Sequence, residues 1–166
     1  MLYLYHMMAE QKARRTLVLV TVALSTACGG IRIRNPVAPA AGPPPTFTAT
    51  TSDVRATRII DVRNGIPKSV VFHAATDLLT ERSSVDVSDS RAGFVMTPWQ
   101  ASSMRRGAPD LRYRTRIIIR FLGDDWKQVS VRVDANWQRG DEWDIGYDSK
   151  LLDDVANDLR ARVGKK

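Results

Sequence analysis

Cys28 is the only cysteine among 166 residues, so the chain holds no internal disulfide and must rely on the core it can bury. Histidine is almost as scarce, with only His6 and His73. There is no GxSxG, HExxH, P-loop or glycine-rich dinucleotide turn, so an enzyme would have few conventional groups to work with. No apolar run reaches the roughly 20 residues of a membrane-spanning helix. Acidic residues are in the minority, 18 against 25 Lys and Arg, for a formal charge of +7. At this length the chain supports one modest core and not two full domains.

The lone cysteine has a context. Lys12, Arg14 and Arg15 precede TLVLVTVALSTA, and Cys28, Gly29 and Gly30 follow. A short basic region, an apolar stretch and small residues before a cut are the parts of a secretory signal, assigned here to residues 1–27. Met7 and Met8 are alternative starts to Met1, and either would give the signal more usual proportions. Removing Lys12, Arg14, Arg15 and Glu10 with the signal lowers the formal charge from +7 to +5, so the mature chain stays basic.

LSTAC resembles the lipobox of bacterial lipoproteins, which implies that Cys28 is acylated after the cut and becomes the first mature residue. Ser25 stands where that family usually has a large aliphatic residue. Ser25 and Ala27 also satisfy the small-x-small rule of ordinary signal peptidase, which would leave Cys28 a free thiol. Residues 29–51 are rich in Pro, Gly, Ala and Thr and read as a linker that could hold the domain on the order of 60 Å from an anchored Cys28. By the lipoprotein resemblance, Gly29 after the cysteine implies passage to the periplasmic face of the outer membrane. Nucleic acid is not an expected partner of an exported protein, although an arginine stripe with Trp126 would suit a strand platform.

The folded domain is expected over residues 52–166. VRATRIIDV at 54–62 is rich in β-branched residues and reads as a strand, with turn chemistry at Asn64 and Gly65. Pro67 suits a helix start, and Val71, Ala74, Ala75, Leu78 and Leu79 share one face of the helix that follows. His73 falls nearly opposite, as a solvated residue. Val85 and Val87 alternate with polar residues before a DSRAG turn, predicting a hairpin with FVMT, which Pro98 ends or places at a sheet edge. Residues 100–110 read as a polar surface loop.

RYRTRIIIRF, at 112–121, places arginine at alternate positions. Leu111, Tyr113, Thr115, Ile117, Ile119 and Phe121 are expected on one face of a strand, with Arg112, Arg114, Arg116, Arg120 and Ile118 on the other. Val129, Val131, Val133, Ala135 and Trp137 alternate in the same way, so the two segments pair across a three-residue turn of Gly123, Asp124 and Asp125. Pairing Leu122 with Trp126 sets Arg116 against Arg132 and Arg114 against Asp134. RGDEWDIGY reads as a loop. Its acidic residues do not have the spacing of an EF-hand, and no metal or cofactor is expected. Leu151, Leu152, Val155, Leu159 and Val163 share a face of a final helix capped by Asp148 or Ser149.

Strand, helix, hairpin, hairpin, helix describes an α+β fold in two layers, an antiparallel sheet with two helices packed on one face. The order resembles the helix-grip fold. VVFHAATDLLTERSSVDVSDSRAGFVMTPW also resembles a module of the C lipoprotein of the β-barrel assembly machinery, through Asp89, Ala92, Gly93, Phe94, Thr97 and Trp99. That family has two such modules where this chain has one, and its partner contacts map onto no residue here. With few catalytic groups and no catalytic motif in the chain, and with the lipoprotein resemblance implying a place in the cell envelope, the expected role is a non-catalytic interaction or assembly module there. Arg112, Arg114, Arg116, Arg120 and Arg132 either form a face that simply meets water or dock an acidic envelope protein or an anionic envelope polymer. The alternative is a small-ligand binder using the crevice between helix and sheet.

Overall fold

The computed structural model describes residues 42–51, 56–101, 104, 105 and 108–165, with side chains for all of these except 104, 105 and 108. Cys28, the signal segment and most of the linker lie outside the described residues. Among those described, no helix is long and apolar enough to cross a membrane.

The fold is α+β, as the pattern predicts. Its elements are β1 (Phe47–Ala49), β2 (Thr57–Asp61), α1 (Lys68–Arg82), β3 (Val87–Asp89), β4 (Phe94–Met96), β5 (Gln100–Ala101), β6 (Met104–Arg105), β7 (Ala108–Pro109), β8 (Tyr113–Leu122), β9 (Gln128–Arg139), β10 (Glu142–Asp148) and α2 (Ser149–Val163). Eight strands form one antiparallel sheet in which β8 and β9 are central, and β6 and β7 pair separately. On one side of β9, β2 covers the first half and β10, followed by β1, covers the second. On the far side of β8, β4 and then β3 cover one end and β5 the other.

Alternation explains the layering. Val129, Val131, Val133 and Ala135 of β9 and Ile117, Ile119 and Phe121 of β8 all point to one face and are buried. Against them lie Val71, Phe72, Ala75, Leu78 and Leu79 of α1 and Leu152, Val155, Ala156, Leu159 and Val163 of α2. Phe72 belongs to this stripe although the sequence pattern omits it, and Pro67 is the residue before α1 rather than its first member. Asp148 caps α2, accepting a hydrogen bond from the Leu151 N–H at 2.9 Å.

Four expectations about the extent of elements need correcting, and one about register. First, the folded domain reaches back into the segment read as linker: β1 pairs with β10, and Thr46 donates a hydrogen bond to Asp148 at 2.8 Å. A Cβ on Gly146 would stand 2.1 Å from the Thr48 carbonyl oxygen, so glycine is what admits β1 at this separation. Second, RGDEWDIGY is not a loop, because Gly140 at φ +66° and Asp141 form a two-residue turn from which β10 returns along β9. Third, part of 100–110 is sheet. Between β4 and β5, the Thr97 Oγ1 takes the place of a ladder carbonyl and accepts the Ile117 N–H at 2.9 Å, which carries the edge past Pro98. Fourth, Leu111 precedes β8 in a turn and is 78% exposed, so it does not join the buried row.

The β8–β9 register also differs, by two residues: Leu122 pairs with Gln128, Ile118 with Arg132, Arg116 with Asp134 and Arg114 with Asn136. A shift of two preserves which side chains face the core, which is why the pattern alone tolerates it. Trp126 decides between the two registers. Instead of pairing, its indole folds back onto Phe121 with ring centres 4.6 Å apart, and Phe72 lies 6.2 Å away. The backbone at Trp126 is left-handed, φ +53°, which costs about 1–2 kcal/mol. Stacking and burial of an indole offset that cost.

Candidate functional site

The sheet face turned away from the helices carries Arg114, Arg116 and Arg120 of β8 and Arg132 of β9. Ladder pairing adds Trp143 and Ile145 from β10, and Phe94 and Met96 from β4. Four of the five predicted arginines are thereby brought together. Arg112 stands apart: its Nε and a terminal nitrogen donate to Asp110 at 3.1 and 2.9 Å, and its guanidinium lies 4.9 Å from the centre of the Trp137 ring, a side chain of the opposite face. The hydrogen bond to Asp110 raises the Arg112 pKa further above its already high value.

At the centre is Asp134, 1% exposed and flanked by Arg116 and Arg132. Arg116 donates from Nε at 3.0 Å and approaches through a terminal nitrogen at 2.9 Å, while Arg132 reaches the same carboxylate at 3.0 and 3.2 Å. Two of the predicted cations are thus neutralised in part by one buried anion. Both guanidiniums remain open to solvent on their outer sides, with side chains 28% and 33% exposed. The carboxylate fixes where they point.

Arg114 is held differently. Its guanidinium lies over two indoles, 4.2 Å from the ring centre of Trp143 and 5.0 Å from that of Trp99, and its buried Nε makes no hydrogen bond among the described residues. Arg116 also lies over Trp99, at 4.7 Å, and Arg120 over Phe94, at 5.6 Å. Aromatic faces attract guanidinium without cancelling its charge, so the face remains cationic overall. The sequence reading missed Trp99, Trp143 and Phe94 as part of this surface. Trp143 falls in the segment read as a loop, and Trp99 lies just past Pro98, where the strand pattern runs out.

Beside Asp134 the face dips into a groove of about 350 Å³. Ile118, Met96 and Phe94 line it, with Arg116, Arg120 and Arg132 around it. A second hollow, an open cleft of about 580 Å³, lies at the mouth of the helix–sheet crevice between Lys68, Phe72, His73, Arg91 and Trp126. His73 is exposed there, as expected of a solvated residue. Deeper in, the crevice is filled: Val71, Leu78, Leu79, Ile119, Val131, Leu152 and Leu159 are each at most 1% exposed. Among the described residues, no three His, Cys, Asp or Glu side chains come together as metal ligands.

No protein family and no curated protein matches this chain.

Proposed function

We propose that the chain is a membrane-tethered lipoprotein of the cell envelope, a non-catalytic interaction or assembly module that docks an acidic partner through the outer face of its sheet. Acylated Cys28 is the tether, and the periplasmic face of the outer membrane is its site. One observation carries the docking part: the Arg114 guanidinium lies over Trp99 and Trp143 and, among the described residues, pairs with no carboxylate. An arginine present only for solubility would extend into water. A guanidinium fixed over indoles costs side-chain entropy and desolvation, and it is preorganised for a planar carboxylate or phosphate. Exposed Ile145 and the indoles beside it supply the apolar contact that interface centres share.

Mass spectrometry of the mature N-terminus from fractionated membranes tests the tether. A diacylated or triacylated Cys28 is expected. An unmodified Cys28 in the soluble fraction would overturn the lipoprotein reading.

A further inference from the structure

Resting on the reading of this face as a docking surface, we infer that the groove beside Asp134 receives an extended segment of a partner protein in which acidic side chains alternate with an apolar one, acid–x–apolar–x–acid. The argument starts from β8. Arg116, Ile118 and Arg120 occupy every second position of one strand, so they project from the same face at a repeat of about 6.7 Å, and the two arginines stand about 13 Å apart. Between them Ile118 forms an apolar floor that Met96 and Phe94 widen; Ile118 is 7% exposed. An extended peptide has the same two-residue repeat, so alternate side chains of such a segment meet cation, apolar floor and cation in turn.

Charge sets the composition. Arg116, Arg132 and Asp134 together carry +1, and Arg120, whose guanidinium lies over the Phe94 ring, carries another +1. Two carboxylates balance this, one against the Arg116–Arg132 pair and one against Arg120. Asp134 holds the first pair in place before the partner arrives, which lowers the entropy lost on binding. The floor separates this occupant from a bare anion or a polyanion: a phosphate-rich polymer has nothing to place over Ile118, and its approach would leave the floor facing charged groups.

Fluorescence-detected titration of the full-length chain tests this with two synthetic eleven-residue peptides of equal composition. One places Glu at positions 4 and 8 and Leu at 6, and the other moves the two Glu to 5 and 7. The first is expected to bind about tenfold tighter than the second, and Arg120→Gln and Met96→Ala should each remove most of that preference. Equal binding of both peptides, still weakened by Arg120→Gln, would overturn the groove inference and leave the docking face standing. No binding of either peptide would also overturn it. Tighter, Arg120-dependent binding to vesicles with half of their lipid as phosphatidylglycerol than to either peptide would replace the protein segment with a membrane surface.

Discussion

Asp134 and Arg116 stand directly across the β8–β9 ladder, carboxylate to guanidinium at 2.9 Å, with the carboxylate sealed from solvent and the guanidinium only partly so. The pair connects the fold to the surface, because one buried anion of the sheet aims two of the cations of the proposed docking face. Removing that anion should therefore disturb both stability and surface.

Asp134→Ala should destabilise the domain by about 2–4 kcal/mol, below the upper end for buried pairs because Arg116 and Arg132 can turn toward water. Urea unfolding followed by circular dichroism measures it. Asp134→Asn keeps the shape and some hydrogen bonding, and should cost less.

Tyr113 should give the protein an alkaline weakness. Its hydroxyl is buried and donates to Asp148 at 2.7 Å; burial first, and that hydrogen bond second, push the phenol pKa far above its ordinary value near 10. A group whose pKa is raised by folding contributes stability that is complete below the unfolded value and is lost as pH rises toward the folded one. Stability should thus fall above about pH 10, with the ionisation of Tyr113 appearing only as the protein unfolds. Absorbance titration at 295 nm beside thermal melts reads both, and Tyr113→Phe should flatten the alkaline decline while costing about 1 kcal/mol at neutral pH.

Thr97 stands in for a missing ladder partner. Thr97→Val should cost about 1–3 kcal/mol by leaving the buried Ile117 N–H without an acceptor, and Thr97→Ser should restore most of it. Amide exchange at Ile117 distinguishes the two variants, with fast exchange expected in the first alone.

Gly146→Ala should detach β1. The added methyl would meet the Thr48 carbonyl oxygen and the Phe47 ring, so residues 46–50 should become sensitive to protease while α2 and the β8–β9 hairpin keep their protection. Limited proteolysis with mass mapping reads the boundary of the folded domain directly.

Periodicity made the two layers legible. Leu152, Val155 and Leu159 recur at helical spacing and Val129, Val131 and Val133 at strand spacing, so the choice of face needed no tertiary information. The β8–β9 register needed a contact made from outside the hairpin, since Trp126 leaves the ladder to stack on Phe121 and only the folded α1 places Phe72 behind it. The candidate face was visible as an arginine stripe and invisible as a charge balance. A three-residue turn puts Asp134 opposite Arg114, whereas the observed register sets it opposite Arg116 and within reach of Arg132. β10 was hidden by its acidic residues. Glu142 and Asp144 tolerate their place there because they sit at the start of a strand, close to its turn, with Arg139 pairing Asp144 at 3.2 Å.

The docking claim is tested most directly by photo-crosslinking in intact cells, with the probe placed at Ile145 on the outer face or at Lys150 on α2. Ile145 is 50% exposed, which leaves room for a probe. The account predicts a discrete adduct with an acidic protein from position 145, absent from position 150 and lost when Arg114→Gln and Arg120→Gln are combined in a domain that still folds. Adducts that are the same from both positions, or that persist without the arginines, would contradict it.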